Sequence, residues 1–283
     1  MPAATLDSSG GDVNSALPVL MVGVTGHRDV RDADVPGAMG SIRTLLQELQ
    51  DVTSERARLI AASPLAGGAD QLFALEAQRT GVELIAPLPK MRDAYRATLG
   101  DRESERLFDA LLAEHRSFYV GDWKESPSLR KDLPTAEGAY ERLGDMLDST
   151  CAVLVAVWDG VLGGAPGGTG DTVARRLARD PSPAPTFWVP LSRRSPAQSH
   201  PRTRMRPGFI RSGPRPEELT GISAEDIYRR LRLACASTVR PADEPGIHAI
   251  RNRLGRAAEL MKWLLHSAPQ HGDLHQGHPE LPT

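Results

Sequence analysis

Short apolar runs alternate with amphipathic stretches from residue 18 to residue 191. The runs have the length and composition of buried strands, and they occupy residues 19–24, 58–62, 82–88, 117–120, 151–157 and 186–191. Between them, apolar residues recur at helical spacing, as at Ile42, Leu45 and Leu49. Strands that alternate with helices predict right-handed crossovers and a mostly parallel sheet with both faces covered. We therefore predict a doubly wound, Rossmann-like α/β domain over residues 17–191.

The chain changes character after this region. Seven arginines and five prolines, with no acidic residue, fall between positions 192 and 216, and such a segment cannot bury enough apolar surface to fold alone. We therefore predict a linker over residues 192–217. Two helical patterns follow and predict a helical appendage over residues 218–267. The segments 1–16 and 268–283 are predicted to be flexible tails.

The second helix of the predicted appendage carries an apolar stripe formed by Ile250, Leu254, Met261 and Leu265. A stripe of this kind is buried against another surface. Two surfaces fit this requirement: the core of the same chain, and the same helix of a second copy. The second of these predicts a homodimer.

Composition limits the classes of function. The chain has 34 basic and 36 acidic residues, so bulk attraction to nucleic acid or to a membrane is not expected. No apolar run approaches the roughly 18 residues that a membrane span requires. Cys151 and Cys235 lie in apolar segments, which is typical of reduced core thiols in a cytoplasmic protein. The sequence motifs of hydrolases and metal sites are missing, so neither a metal nor a cofactor is expected.

Three glycine-bearing loops, at residues 23–28, 63–70 and 158–172, lie where predicted strands end. The carboxyl ends of parallel strands meet at one edge of a sheet, where ligands bind beside a change in strand order. Glycine-loop amides and helix N-termini bind phosphate. We therefore predict a nucleotide-type ligand held by a set of residues from the three loops: Gly23, Thr25, Gly26, His27, Arg28, Gly67, Gly68, Asp70, Trp158, Asp159, Gly167, Gly168, Thr169 and Thr172.

The first loop does not match the dinucleotide-binding fingerprint. Gly23 and Gly26 fit it, but Asp29 stands where the third glycine is required, and a carboxylate there would repel a pyrophosphate. His27 and Arg28 then have two interpretations. Either they bind a phosphate or a ribose, or they stabilise the loop through interactions with carboxylates such as Asp29.

Residues of the other two loops also have two interpretations. Asp70 is either a carboxylate that stabilises the start of a helix or an acceptor for a ribose hydroxyl. Trp158 either stacks on a base or covers the edge of the sheet. Asp159, at the end of the same strand, is placed to orient a ribose, a water molecule or a metal ion.

The same loops carry a family resemblance. Residues 23–28 (GVTGHR), 63–70 (SPLAGGAD), 155–160 (VAVWDG) and 166–170 (PGGTG) resemble the SLOG superfamily of Rossmann-like nucleotide-binding domains. That superfamily includes the LOG phosphoribohydrolases, the SMF/DprA DNA-processing proteins and the sensor domain of TRPM channels. The chain is more similar to a bacterial branch with the GHR loop, often linked to nucleotide-signalled defence. The resemblance covers residues 18–191.

The resemblance implies a ligand like ADP-ribose, NAD or a cyclic nucleotide, bound in a signalling or defence role. One departure bears on catalysis. LOG enzymes carry a PGGxGTxxE motif whose glutamate is catalytic, whereas Asp171 here replaces the threonine and Ala174 the glutamate. Glycosidic cleavage needs a carboxylate. The leading hypothesis is therefore a protein that binds or senses a nucleotide without cleaving it.

Two alternatives stay open at this point. The first is a LOG-like N-glycosidase or phosphoribohydrolase acting on a nucleoside monophosphate, with His27, Asp70, Asp159 and Asp171 as its candidate catalytic residues. The second is a DNA-processing protein that uses the arginine-rich segment. The near-neutral net charge argues against the second, and we do not expect nucleic-acid binding.

Overall fold

The computed structural model describes residues 17–122, 136–178, 184–194, 206–213, 218–236 and 245–267. Each of the six predicted apolar runs forms a strand, and two further strands follow. The strands are β1 Val19–Gly26, β2 Arg58–Ala62, β3 Glu83–Leu88, β4 Arg116–Tyr119, β5 Val153–Trp158, β6 Thr186–Pro190, β7 Gly208–Ser212 and β8 Leu219–Gly221.

All eight strands join one sheet in the order β4-β3-β2-β1-β5-β6-β7-β8. Strands β1 to β6 run parallel to one another, whereas β7 is antiparallel to both of its neighbours, β6 and β8. The predicted mostly parallel α/β fold is therefore confirmed. The chain builds outward from β1 to β4 and then returns to place β5 on the other side of β1. The strand order thus reverses between β1 and β5, where a ligand is expected.

Helices cover both faces of the sheet. In chain order they are α1 Val35–Thr53, α2 Ala69–Arg79, α3 Arg92–Arg96, α4 Arg102–Glu114, α5 Ala136–Thr150, α6 Thr169–Leu177, α7 Ala224–Cys235 and α8 Pro245–Ser267. Leu20, Val22 and Val24 of β1 join the apolar cluster that includes α1, α2 and α7, whereas Val19 and Met21 join the cluster that includes α5. This alternation is the two-residue period of a strand buried on both sides.

The predicted linker over residues 192–217 is wrong in part. Strand β7 lies within it, pairs with β6, and buries Phe209 and Ile210. A strand this short cannot fold alone, but the edge of an existing sheet satisfies its backbone hydrogen bonds. Residues 195–205 and 214–217 of the predicted linker lie outside the described residues, as do both predicted tails.

The predicted helical appendage belongs to the core of the domain. Ile250 and Leu254 of α8 lie in the apolar cluster with α1 and α7, and Met261 lies in the cluster with α5. Only Leu265 of the predicted stripe is exposed. The chain itself therefore covers the apolar face on which the homodimer was predicted, and the homodimer stays a prediction without that support.

Two further features concern the chain as a whole. No helix among the described residues has both the length and the apolar composition that crossing a membrane requires. Cys151 and Cys235 are free and buried. Burial raises the pKa of Cys151 to about 12 and that of Cys235 to about 11. Both thiols are therefore protonated at neutral pH, as is typical of core cysteines.

Candidate functional site

A cavity of about 400 Å³ lies at the carboxyl end of β1, at the reversal of strand order. Its walls come from β1, from the loop between β2 and α2, from α3 and α5, and from the loop that leads into α6. The lining residues are Val24, Thr25, Gly26, Arg28, Pro64, Ala66, Asp70, Tyr95, Tyr140, Leu143, Gly144, Leu147, Ala165, Pro166, Gly167, Gly168, Thr169 and Thr172.

The loop before α6 presents a helix N-terminus to the cavity. Gly167 has a φ of +74°, and any side chain there would collide with the backbone of α5, so this tight approach requires glycine. The Asp171 carboxylate accepts a hydrogen bond from Gly167 N at 2.9 Å and pairs with Arg175, which holds the turn. The first N–H groups of a helix have no acceptor within it, and Thr169 of the first turn lines the cavity. This arrangement suits an anion.

Arg28 supplies positive charge to the same cavity. Its guanidinium donates to Thr98 O at 2.8 Å and to Tyr140 Oη at 3.3 Å. The guanidinium carbon lies 5.7 Å from the centroid of the Tyr140 ring, and Lys90 Nζ lies 5.5 Å from the same centroid. Within the part of the chain that the structure describes, neither cation forms an ion pair with a carboxylate. The charge of Arg28 is thus available to an anionic ligand.

Of the described residues that line the cavity, Asp70 alone carries a carboxyl group. The residue is 6% exposed, and its Oδ1 atom is buried without a hydrogen-bond partner. Burial raises the pKa of Asp70 to about 7, against the charge of Arg28 and a backbone hydrogen bond from Ala66, both of which lower it. Asp70 also lies in the first turn of α2, where the helix dipole favours a carboxylate. Both interpretations of this residue therefore stay open.

His27 and Asp159 form a buried brace between the loops after β1 and β5. His27 Nε2 lies 3.2 Å from Asp159 Oδ2, and Arg193 Nε donates to the same oxygen at 3.0 Å. Val161 N donates to the other oxygen at 3.1 Å. Burial lowers the pKa of His27, so the imidazole is neutral at pH 7. Neither residue lines the cavity, and the bracing interpretation of His27 describes the structure, with Asp159 as the carboxylate.

Trp158 covers the sheet and does not line the cavity. The side chain is fully buried, and its ring centroid lies 5.4 Å from that of Trp188. Its indole N–H donates to Val161 O at 3.1 Å. The ring is buried within the protein and its N–H has a partner there, which favours the interpretation in which Trp158 covers the edge of the sheet.

Several glycines of the predicted site allow neighbouring segments of the chain to pack closely. A Cβ atom on Gly23 would lie 2.5 Å from Cys151 Sγ, and one on Gly68 would lie 2.5 Å from Arg28 O. Gly68 also has a φ of +74°, which favours glycine. These residues let α5 and the first loop approach closely, and like Gly67 they do not line the cavity.

The structure thus divides the predicted site residues into two groups. Around the cavity it brings together Thr25, Gly26, Arg28, Asp70, Gly167, Gly168, Thr169 and Thr172. Away from the cavity lining it leaves Gly23, His27, Gly67, Gly68, Trp158, Asp159 and Asp171. Tyr95 and Tyr140 were missed, because no motif marks them and aromatic residues of amphipathic helices are usually core. No group of three or more metal-binding side chains occurs in the described ranges.

Comparisons with known proteins find a distant structural similarity. No protein-family model matches the chain, and no curated protein matches it. The X-ray structure of DNA processing protein A (DprA) from Streptococcus pneumoniae matches with 17% sequence identity and a TM-score of 0.33. The match covers 49% of this chain and 41% of that one, so it spans less than half the length of DprA.

Proposed function

We propose that the cavity binds a nucleotide, with a phosphate group at the amino end of α6. The observation that carries the proposal is that the first turn of α6 and the guanidinium of Arg28, which forms no ion pair among the described residues, line one cavity. Helix N-terminal amides and guanidinium groups both recognise phosphate. Their position at the reversal of strand order is where doubly wound sheets bind ligands.

The rest of the cavity wall suits a ribose and a base. Val24, Leu143 and Leu147 supply apolar surface, and Tyr95 and Tyr140 supply aromatic rings. Ligand cavities typically combine such walls with a few polar groups, in volumes of about 300–1,000 Å³. The volume of about 400 Å³ is near the lower end of that range, which favours a mononucleotide over a dinucleotide.

Binding without cleavage is the activity that the carboxylates favour. Glycoside hydrolysis ordinarily uses a pair of carboxylates on either side of the scissile bond. Of the four candidate catalytic residues, only Asp70 lines the cavity. Asp159 is held by His27 and Arg193, and Asp171 by the turn before α6. The second carboxylate of a hydrolase is therefore missing from the described lining, and a ligand sensor is the better proposal.

The first two arginines of the arginine-rich segment give the DNA-processing alternative no support. Arg193 donates to the buried Asp159, and Arg194 pairs with Asp32. Their charge is therefore partly compensated within the chain, and no aromatic platform for single strands lies beside them in the sequence.

Calorimetric and thermal-shift titrations with AMP, adenosine, ADP-ribose, NAD and a cyclic dinucleotide test the proposal. AMP is expected to bind, and at a hundred times its Kd it should raise the free energy of unfolding by about 2.7 kcal/mol. Adenosine should bind about 10- to 100-fold more weakly, since a hydrogen bond to a charged group is worth about 1.5–3 kcal/mol. Arg28→Met should weaken AMP binding by a similar factor.

Arg31→Met is the matched control, because Arg31 is exposed in the same segment and does not line the cavity. It should bind AMP as the wild type does. Equal affinity for AMP and adenosine would show that the phosphate is not recognised. If none of the five compounds binds, the proposed function is wrong.

A further inference from the structure

We propose that Asp70 accepts a hydrogen bond from a ribose hydroxyl group, and that the cavity thereby selects ribonucleotides over deoxyribonucleotides. This inference rests on the proposed function, because it places the ribose of the same nucleotide whose phosphate lies at α6.

Asp70 has a carboxyl oxygen without a hydrogen-bond partner. Oδ1 is buried without a partner in a residue that is otherwise almost fully enclosed. Buried polar atoms without a partner are rare and costly, and each one calls for a physical explanation. A carboxylate oxygen accepts hydrogen bonds, so the group that completes it is an O–H or N–H donor.

No described side chain provides that donor. The ionisable groups that face Asp70 are Arg28 from the loop after β1 and Tyr95 from α3. The guanidinium of Arg28 donates instead to Thr98 O and Tyr140 Oη. No described cation lies within ion-pair distance of Asp70. A ligand in the cavity can therefore supply the missing donor.

The position of Asp70 in the fold indicates which group of the ligand is the donor. Asp70 follows β2 and the first turn of α6 follows β5, and these two strands flank β1. A phosphate at α6 and a donor at Asp70 thus lie on either side of the end of β1. In a nucleotide the ribose is joined directly to the phosphate, and its hydroxyl groups are the donors nearest to it. An ionised Oδ1 needs a donor, and a phosphate dianion carries no hydrogen to donate.

A guanine edge is one competing donor. Recognition of a guanine edge by a carboxylate uses both of its oxygens at once, because the ring N–H and the amino group lie side by side. In Asp70 the backbone of Ala66 already donates to the carboxyl group, and Oδ1 is the atom without a partner. One free oxygen matches a single hydroxyl group better than it matches two adjacent N–H donors.

Proton release on binding gives the inference a second readout. Burial raises the pKa of Asp70 to about 7, so the carboxyl group is partly protonated at neutral pH. A hydroxyl donor favours the ionised form and lowers that pKa. Binding should then release a proton near pH 7, and affinity should rise between pH 6 and pH 8. Arg28 and Tyr95 do not titrate in this range, because their pKa values are raised.

The test is a calorimetric titration of the full chain with AMP, 2′-deoxy-AMP, 3′-deoxy-AMP and GMP. Wild-type protein should bind one of the two deoxy compounds about 10- to 100-fold more weakly than AMP, as expected for loss of a hydrogen bond to a charged group. GMP should bind within a few-fold of AMP. Titrations in buffers of different ionisation enthalpy should show proton release with AMP and less of it with the weaker deoxy compound.

The Asp70→Asn variant separates this effect from ionisation of the phosphate, which also strengthens binding as the pH rises. It should discriminate less between AMP and the deoxy compounds, because a neutral amide oxygen is a weaker acceptor than a carboxylate, and it should lose the part of the pH dependence due to Asp70. Glu259→Gln, an exposed acid-to-amide change on α8, should behave as wild type. If Asp70→Asn does not fold, the affinities of the wild-type protein for AMP and for the two deoxy compounds are enough to test the inference.

Equal wild-type affinity for AMP and both deoxy compounds would overturn this inference and leave the proposed function standing. Tight binding of GMP alone would overturn it in favour of base recognition. If no nucleotide binds, the proposed function and this inference are both overturned.

Discussion

Asp70→Asn is expected to stabilise the folded protein at pH 8 by about 1–3 kcal/mol. Burial raises the pKa of Asp70 from 3.8 to about 7, and each pKa unit is worth about 1.4 kcal/mol. Above pH 7, ionisation of this buried group therefore costs the folded state up to about 4 kcal/mol. The buried amide of asparagine also lacks a partner, which costs about 1–3 kcal/mol and reduces the gain.

The sign of the pH dependence follows from the raised pKa. Below about pH 4, Asp70 is protonated in both the folded and the unfolded state, so the cost vanishes. This free-energy cost grows as the pH rises, because Asp70 ionises at a lower pH in the unfolded chain than in the folded protein. It reaches its full value above the folded-state pKa of about 7. The advantage of Asp70→Asn should therefore be largest at pH 8 and disappear near pH 4.

Urea unfolding of both proteins between pH 4 and pH 8 measures this effect, with Glu259→Gln as the control that should show no such trend. An Asp70→Asn variant less stable than wild type at pH 8 would mean that the carboxyl group has a structural partner. A carboxyl group that lowers stability and binds the ligand is a trade-off between stability and function.

Arg176→Met is expected to lower the free energy of unfolding by about 3–5 kcal/mol, because removing one partner leaves buried polar groups without compensation. The Arg176 side chain is fully buried. Its guanidinium pairs with Asp148 Oδ1 at 3.1 Å and donates to the carbonyl oxygens of Cys151 at 3.0 Å and Pro185 at 3.1 Å. It thereby ties α6 to the end of α5 and to the segments that lead into β5 and β6.

Chemical denaturation at pH 7 measures the loss. Arg92→Met is the matched control, since Arg92 and Asp109 form an ion pair on the surface, and such pairs contribute about 0–1 kcal/mol. A loss below 1 kcal/mol for Arg176→Met would show that Arg253, which also donates to Asp148, compensates for the missing charge.

The periodicity of the sequence predicts the parallel part of the fold well. The apolar runs that become β1, β2, β3, β5 and β6 are buried on both faces, so their composition alone identifies them. Strand β7 was missed because its two buried residues, Phe209 and Ile210, stand among arginines and prolines. Its stability comes from pairing with β6, and a local window of sequence does not contain that information.

The site is predictable only as far as the edge of the sheet. The strand-end loops do meet at β1, but the sequence does not show which side chains turn inward. The Trp158 ring packs against Trp188, and the Asp159 carboxylate lies beside His27. These partners are 30 and 132 positions away in the sequence. Tyr95 and Tyr140 come from helices that carry no motif. Long-range packing decides these positions, and no local pattern encodes it.

The most direct test of the central claim is a backbone amide NMR titration of ¹⁵N-labelled protein with AMP. Binding of the phosphate at α6 predicts that the largest shift changes occur at Gly168, Thr169 and Gly170. The amides of Gly208 and Gly255, on β7 and α8, should not move. Shift changes confined to residues outside the cavity, or none at AMP concentrations in the millimolar range, would contradict a nucleotide site at the end of β1.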